Sequence, residues 1–441
     1  MEQRMEAIGE IAIILAPDDK GLVTVFGIPA ARRLILLALQ LGLKEIHIIG
    51  RVKSLRPVLS DLVPLERFHP VDNPASLGQV VERLALPDQQ RVLAMKANYI
   101  VDQGSLTQLI EAGNHSGLYF MEAKENKAEG LYLTAPSSLV SIIQHLWSSS
   151  PHFPIPDEAH PVVGMDGLPY VLERGEAQAK IAEDRLMKAQ AAKTRKNDGF
   201  LARHLSRPIS RFISGRLAHT PATPNQITMG GVIIGMTGAV FFSQPGYWHH
   251  LVGSLLFLLC IIVDGVDGEV ARLKLQETPL GHRLDIITDN FVHLAVFAGI
   301  ALGLYHDSGD PVYFWILGVL VGGFGLCGIA VYQCISRRST EELRWSGSAV
   351  RIMDMLNNRD FAYILVALAL VQRLQWFLIG AAIGTYLFAL ALWMARYYEK
   401  RVAADWACHL TVLSGLIRKI FLRAGDFLKS YFSGRKFTRY G

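Results

Sequence analysis

Residues 263–290 read VDGVDGEVARLKLQETPLGHRLDIITDN, and they directly follow the apolar run LVGSLLFLLCII. Such a run has the composition of a membrane-spanning helix, in which an ionisable side chain is costly and usually marks a functional site. The segment nevertheless holds four aspartates close to this run: Asp264, Asp267, Asp285 and Asp289. It therefore predicts a membrane domain and the place where that domain carries out its chemistry.

The composition agrees with a membrane protein that has a soluble part. Of the 441 residues, 51% are hydrophobic, and this length is sufficient for two or three domains. The net charge is only +5, and basic residues gather near apolar runs, as in GRKFTRYG at the C-terminus. Such clusters indicate segments that face anionic lipid on the cytoplasmic side. We therefore expect membrane lipid, and no nucleic acid, among the partners.

Residues 1–175 have the pattern of a soluble α/β domain. Short apolar runs such as IAIILA and EIHIIG alternate with helical stretches such as PAARRLILLALQLGL. This alternation predicts a Rossmann-like, largely parallel sheet covered by helices on both faces. The N-terminal sequence MEQRMEAIGE lacks a signal-peptide pattern, so we expect this domain in the cytoplasm. Residues 176–198, rich in Ala, Lys and Glu, predict a linker helix that leads toward the membrane.

Residues 199–400 predict an all-α membrane domain with six transmembrane helices. The expected spans are 226–243, 247–263, 284–304, 312–335, 360–372 and 374–396. The stretch at 200–218 mixes apolar and basic residues at helical spacing, as in a helix that lies in the membrane interface. Residues 401–441 predict a basic amphipathic tail. Six spans return the chain to its starting side, so we expect the N-terminal domain and the active site to face the cytoplasm.

The four aspartates are spaced so that they can meet on neighbouring helices. The members of the first pair are three residues apart and those of the second pair four, so each pair shares one helix face. Converging carboxylates repel one another unless cations lie between them, and hard oxygen ligands select Mg²⁺, Mn²⁺ or Ca²⁺. This pattern predicts a two-metal site that binds a phosphoryl group. Membrane carboxylates of this kind also suit a cation-coupled transporter.

The same residues resemble the signature of a known enzyme family. At every fixed position, residues 264–289 match the CDP-alcohol phosphotransferase signature: Asp264, Asp267, Gly268, Ala271, Arg272, Gly281, Asp285 and Asp289. The segment TPNQIT at 223–228 is similar to the start of that family's first span. The resemblance implies that an alcohol acceptor attacks the β-phosphate of a CDP-alcohol donor and releases CMP, in phospholipid or polyol-phosphate biosynthesis. It favours this transferase over the transporter.

The resemblance also implies a role for each matched residue. Asp264, Asp267 and Asp285 would bind two Mg²⁺ or Mn²⁺ ions, and Asp289 would be a further ligand and the general base. Arg272 would pair with a phosphate, although it could instead pair with a carboxylate. The residues that would bind the donor nucleotide are Asn225, Thr228, Gly268, Ala271, Arg272 and Gly281.

Three arginines are candidates for binding the acceptor. Arg337 and Arg338 follow the fourth expected span, and Arg351 precedes the fifth. A cytoplasmic pocket formed by these residues would suit an acceptor that carries a phosphate. The alternative is that they anchor the chain to lipid headgroups.

The N-terminal domain resembles sugar-phosphate nucleotidyltransferases, but it lacks two parts of their active site. Lys20 fits that pattern, whereas Pro17, Asp18 and Asp19 replace the glycine-rich loop that cradles a triphosphate. Residues 96–98 read KAN where a metal-binding aspartate is expected, and Asp102 lies too far along the chain to replace it. We therefore expect a catalytically inactive docking or regulatory module, which could also form a homodimer contact.

One alternative gives this domain an activity of its own. The fusion is similar to inositol-phosphate transferases in which an active version of the domain makes CDP-inositol for the membrane half. A bifunctional enzyme that makes its own CDP-alcohol therefore stays open at this point. The donor also stays open between CDP-diacylglycerol and a CDP-linked polyol.

Overall fold

The computed structural model describes residues 11–87, 90–112, 118–123, 126–148, 159–162, 168–172, 175–194, 199, 201–333 and 360–397. These residues fall into two compact units. One lies within residues 1–307 and 359–372, and the other within residues 308–358 and 373–441. The first unit contains both the N-terminal sheet and the helices that carry the four aspartates.

A seven-stranded sheet forms the centre of the N-terminal domain. The described strands are β1 (Ile11–Ala16), β2 (Thr24–Val25), β3 (Ile28–Pro29), β4 (Glu45–Gly50), β5 (Phe68–Pro70), β6 (Val92–Lys96), β7 (Tyr99–Ile100), β8 (Tyr119–Ala123), β9 (Asn126–Thr134), β10 (His160–Pro161) and β11 (Tyr170–Val171). The strand order in the sheet is β10-β8-β9-β6-β1-β4-β5. Strand β9 is antiparallel to β6 and β8, and the other neighbouring strands are parallel. The expected largely parallel sheet is confirmed.

Helices alternate with these strands along the chain. They are α1 (Ala30–Gln40), α2 (Arg56–Leu59), α3 (Leu77–Arg83), α4 (Gln103–Ala112), α5 (Pro136–Ser148) and α6 (Glu176–Thr194). All six residues of β1 are buried, which requires that both faces of the sheet are covered. The core formed in this way includes Ile13 and Leu15 of β1, Leu34 of α1 and Ile142 of α5. The strands therefore appear in the sequence as continuous apolar runs.

The rest of the described chain is helical. Its helices are α7 (Arg207–Leu217), α8 (Pro224–Phe242), α9 (Tyr247–Leu273), α10 (Pro279–Ser308), α11 (Val312–Val331), α12 (Phe361–Leu370) and α13 (Leu374–Tyr397), and a wider turn, Ala202–Ser206, precedes α7. Five of them, α8 to α11 and α13, are long and apolar enough to cross a membrane. The described residues thus show five candidate spans rather than the expected six, because α12 has only 10 residues. The five helices indicate a multi-pass membrane protein.

The helices that carry the aspartates are longer than their apolar runs. The expected span 247–263 corresponds to α9, which extends to Leu273. The expected span 284–304 corresponds to α10, which begins earlier, at Pro279. Hydropathy shows the part of a helix that suits hydrocarbon, whereas backbone hydrogen bonding continues into the polar part. All eight positions of the aspartate signature consequently lie on helices.

The start of α8 is specified by its local sequence. Thr223 Oγ1 accepts a hydrogen bond from Gln226 N at 3.4 Å, and Gln226 Oε1 accepts one from Thr223 N at 3.0 Å. This reciprocal pair is a capping box, and Pro224 occupies the first helical position, where no backbone N–H is needed. The segment TPNQIT therefore specifies where α8 begins.

Close approach of α8 to α10 depends on two glycines of α10. A Cβ atom at Gly299 would lie 2.4 Å from the carbonyl oxygen of Ala239, and one at Gly303 would lie 2.0 Å from that of Phe242. These distances leave no room for a side chain. Small residues at helix crossings are typical of membrane helices, whose backbones approach one another closely.

The second unit contains α11 and α13. These helices pack through Ala330, Ala389 and Leu392, which are buried. Tyr386 donates a hydrogen bond from its hydroxyl to Val319 O at 2.9 Å.

The crossing of α8 and α10 predicts opposite effects for one substitution at two positions. The Gly299→Ala variant is expected to unfold at a lower temperature, because overpacking of this kind costs about 1–3 kcal/mol. The matched control is Gly230→Ala on α8, where a Cβ would meet nothing within 4 Å. There, alanine favours the helix by up to about 1 kcal/mol. Thermal unfolding of the detergent-solubilised variants measures both effects. Equal unfolding midpoints for Gly299→Ala and Gly230→Ala would contradict the close approach of α8 and α10.

Candidate active site

Three of the four aspartates meet between α9 and α10. One carboxylate oxygen from each of Asp264, Asp267 and Asp285 lies within 4.8 Å of the other two. Asp267 is the most enclosed, with 5% of its surface exposed. Oxygens that share one octahedral Mg²⁺ at about 2.1 Å are at most about 4.2 Å apart. Small side-chain adjustments would therefore let these residues bind a hard divalent ion.

The carboxylate of Asp267 is oriented by neighbouring donors. Thr228 Oγ1 on α8 lies 2.5 Å from Asp267 Oδ2, and Gly268 N donates to Asp267 Oδ1 at the same distance. The Thr228 hydroxyl also lies 3.2 Å from Pro224 O in the preceding turn. Because that hydroxyl has one proton, the shorter contact to the carboxylate is the stronger hydrogen bond. Thr228, predicted from the sequence as a nucleotide-binding residue, is thus placed to orient the carboxylate of Asp267, a candidate metal ligand.

The fourth aspartate lies outside this close group. Asp289 follows Asp285 by one turn on α10, so both are on the same face of the helix. Asp289 is not among the three residues whose oxygens converge. Its predicted roles as a further ligand and general base therefore stay predictions.

The expected nucleotide-binding residues lie at three neighbouring helix ends. Asn225 starts α8, Arg272 is near the end of α9, and Gly281 is in the first turn of α10. A Cβ at Gly281 would lie 3.4 Å from Asn225 Oδ1, and one at Gly268 would lie 3.4 Å from Arg272 Nη1. Ala271 and Arg272 are half-buried. The helix ends thus form one polar edge next to the three aspartates.

A buried glutamate on the motif helix was not anticipated from the sequence. Glu269, which is 6% exposed, accepts hydrogen bonds from Ser210 Oγ at 2.9 Å and Ser214 Oγ at 2.7 Å. Arg207 Nη1 lies 3.2 Å from its carboxylate as an ion pair. All three partners are on α7, so this network joins α7 to α9. The serines four residues apart in RPISRFIS were the available signal, since they share a helix face.

Three aspartates of the N-terminal domain accept hydrogen bonds from other groups of that domain. Asp18 accepts from Lys20 N at 2.9 Å and Asp19 from Ser54 Oγ at 2.5 Å. Asp102 caps α4 through Gly104 N at 2.9 Å. At the end of β6, Asn98 Nδ2 donates to Leu172 O at 2.8 Å. Asp18 and Asp102 thus stabilise helix starts, whereas Asp19 and Asn98 join segments that are distant in the chain.

The candidate acceptor residues Arg337, Arg338 and Arg351 lie outside the described residues, as does the predicted tail at 401–441. The polar edge and the four aspartates are consequently the parts of the candidate site that the structure describes.

Comparison with known proteins supports the resemblance of residues 264–289 to the CDP-alcohol phosphotransferase signature. Residues 221–347 match the family model described as CDP-alcohol phosphatidyltransferase. Relatives named "Bifunctional IPC transferase and DIPP synthase" share 36% identity over 125 residues in Aquifex aeolicus and 32% over 139 residues in Thermococcus kodakarensis. These matches cover 28% and 31% of this chain and 28% and 30% of the relatives. The matched part thus spans less than a third of the bifunctional relatives.

A third relative is matched over most of its length. The "CDP-diacylglycerol--glycerol-3-phosphate 3-phosphatidyltransferase" of Blochmanniella floridana is 24% identical over 186 residues, which cover 41% of this chain and 90% of that relative. The family match begins just before α8 and includes all four aspartates. Residues 221–347, which include α8 to α11, therefore match a CDP-alcohol phosphatidyltransferase domain.

Proposed function

We propose that the protein transfers a substituted phosphate from a CDP-alcohol to the hydroxyl of an acceptor alcohol and releases CMP. The observation that carries this proposal is the convergence of Asp264, Asp267 and Asp285 on two helices of the matched domain. In the reaction, the acceptor oxygen forms a bond to the β-phosphorus of the donor. The bond from that phosphorus to the CMP oxygen breaks, and the hydroxyl proton moves to Asp289.

The aspartates divide this work according to their positions. Asp264, Asp267 and Asp285, with Asp289 as a further ligand, would hold two Mg²⁺ or Mn²⁺ ions. When bound, such ions neutralise the phosphates and stabilise the leaving CMP. Thr228 holds the carboxylate of Asp267 in one orientation. Asp289, outside the close group, is the candidate that accepts the proton of the acceptor.

The polar edge at the three helix ends would bind the donor nucleotide. Arg272 offers a guanidinium that can pair with a phosphate in a bidentate manner. Glycines allow a ligand to approach the backbone closely. The proposed set is Asn225, Thr228, Gly268, Ala271, Arg272 and Gly281.

The proposal extends to the arrangement of the whole chain. Residues 1–175, 176–198, 199–400 and 401–441 would be the cytoplasmic domain, linker helix, membrane domain and basic tail. A sixth span near α12 would place the active site and both termini at the cytoplasmic side, in contact with membrane lipid. Arg337, Arg338 and Arg351 would bind an acceptor phosphate, and the N-terminal domain could mediate a homodimer.

A second candidate function follows from the names of the relatives. Two of them are named as bifunctional enzymes, which favours an N-terminal domain that makes the CDP-alcohol. The contacts of Asp18, Asp19 and Asp102 favour an inactive domain instead, because Asp18 and Asp102 cap helix starts and Asp19 accepts from Ser54. We propose the inactive domain as the primary reading.

The base assignment predicts a loss of turnover in the Asp289→Asn variant. An amide cannot accept the proton of the acceptor, so kcat is expected to fall at least about 100-fold. CMP should still bind, because the three converging aspartates are unchanged. The measurement is CMP release from a panel of CDP-alcohols with Mg²⁺ or Mn²⁺, and the exposed neighbour Asn290→Ala is the matched control. Full turnover by Asp289→Asn would contradict the assignment, and ion flux into liposomes without CMP release would favour a transporter.

The contact to Asp267 predicts a weaker response to metal in the Thr228→Val variant. Loss of a hydrogen bond that orients a metal ligand typically reduces metal affinity about 10- to 100-fold. The Mn²⁺ concentration for half-maximal CMP release should rise accordingly. Thr237→Val is the matched control, because Thr237 is exposed on the same helix and its hydroxyl donates to Ile233 O. An unchanged metal dependence would exclude this orienting role.

The N-terminal domain is expected to make no CDP-alcohol. The full-length Asp289→Asn protein, incubated with CTP, Mg²⁺ and a panel of polyol phosphates, should release pyrophosphate no faster than its Lys20→Ala derivative. Transfer to a triphosphate needs donors for the phosphates and carboxylates that hold the metal, and Asp18, Asp19 and Asp102 each accept hydrogen bonds from within the domain. Pyrophosphate release well above the Lys20→Ala control would establish the bifunctional alternative.

A further inference from the structure

The last turn of the motif helix α9 is completed by the N-terminal domain. The final four carbonyls of a helix lack partners within it and need other donors. Three of these carbonyls accept from backbone groups that follow the helix: Val270 O from Lys274 N at 2.9 Å, Arg272 O from Leu275 N at 3.2 Å and Ala271 O from Gln276 N at 2.8 Å. The fourth, Leu273 O, accepts from Arg33 Nη1 of α1 at 2.7 Å. These two residues are 240 positions apart in the chain.

Arg33 is a buried cation. It is 3% exposed, and burial lowers the pKa of its guanidinium to about 10, so it remains charged at neutral pH. Glu183 of α6 raises this pKa through its charge, which partly offsets the burial. A positive charge near the C-terminus of a helix is favourable, because the helix dipole is negative there. Removing one partner of a buried charge contact is costly.

Neighbouring contacts fasten the same end of α9. Gln40 lies two turns after Arg33 on α1 and donates from Nε2 to Leu275 O at 3.3 Å. Lys274 donates from Nζ to Thr220 O at 2.5 Å and to Ala222 O at 2.8 Å, before the start of α8. The end of α9 is therefore held both by the soluble domain and by the membrane domain.

A cleft places Arg33 next to a residue of the candidate active site. Its lining includes Arg33, Gln40 and Asp102 from the N-terminal domain, Gln190 from α6, and Arg272 and Glu277 from the membrane domain. Arg272 precedes Leu273 directly, and Asp267 lies less than two turns earlier on the same helix. A helix transmits a shift of its last turn to the residues just before it, because its hydrogen bonds make it stiff.

We infer that Arg33 is a positioning residue for the membrane active site: its contact with Leu273 O fixes the end of α9 and thereby the donor-binding side chain of Arg272. This inference rests on the proposed function. It gives the N-terminal domain a role in the membrane reaction that does not require nucleotidyl transfer.

The test compares Arg33→Gln with two further variants of the full-length protein. Arg32→Gln is the matched control, since Arg32 is the adjacent residue of α1 and pairs with Asp61 at 2.6 Å within its own domain. Arg33→Lys keeps the charge but lacks the planar guanidinium fork. For each variant we would measure kcat, the KM for the donor, the thermal midpoint, and the affinity for CMP with Mn²⁺ by calorimetry.

Arg33→Gln is expected to raise the donor KM and the dissociation constant of CMP about tenfold, and Arg33→Lys to restore part of this loss. Arg32→Gln should leave both within about twofold of wild type. Donor KM and CMP affinity that stay equal to the control, with or without a lower thermal midpoint, would overturn the inference. If Arg33→Gln does not fold, the test rests on Arg33→Lys. A CMP affinity of Arg33→Lys equal to that of the wild type would then overturn the inference.

CMP binding also separates the inference from the proposed function. If the wild-type protein released no CMP from any donor, the proposed function would fail. Weaker CMP binding by Arg33→Gln would then still support the positioning role, whereas unchanged binding would remove it.

Discussion

The repulsion among carboxylates at the edge of the membrane domain is the constraint on which the rest of this structure depends. Asp264, Asp267 and Asp285 bring oxygens within 4.8 Å of one another, an arrangement that is unfavourable without nearby cations. The helices must therefore hold these residues together against their own charge. Glycines at 299 and 303 allow α10 to lie directly against the backbone of α8, and Thr228 of α8 donates to Asp267. The close packing of α8 against α10 thus helps to hold the three aspartates together.

The motif helix α9 is anchored by two buried charges that take no part in the proposed chemistry. Glu269 accepts from two serines of α7 and pairs with Arg207, while Arg33 donates to the carbonyl of Leu273. Glu269 has three partners on α7 and Arg33 has the carbonyl of Leu273, and such partners are the condition under which a buried ion is tolerated. Both contacts act close to Arg272. A helix that must present several aspartates and an arginine to one ligand benefits from such constraints, because small displacements at a site are costly to catalysis.

The N-terminal domain has the fold expected from the sequence, and three of its aspartates make contacts within the domain. Its mostly parallel sheet and buried strands have the architecture that the alternating sequence predicted. The side chains of Asp18, Asp19 and Asp102 accept hydrogen bonds from groups of the same domain. A fold does not by itself imply a function, since activity depends on the residues of the site. In this chain the domain contacts the end of α9 through Arg33 and Gln40, so its structure can matter to the membrane domain even without its own reaction.

The sequence by itself determined the features that depend on local periodicity: the α/β and helical regions, the capping box at Thr223, and the placement of Asp264 with Asp267, and of Asp285 with Asp289, on one face of a helix. Helix geometry places such residues on one face whatever the surroundings. Tertiary structure decided the full length of α9 and α10 and the short length of α12, because hydropathy reports burial in hydrocarbon rather than backbone hydrogen bonding. It also decided that Glu269 meets α7 and that Arg33 meets Leu273. Those partners are 55 or more positions apart, and distant pairing depends on how whole elements pack, for which no local pattern exists.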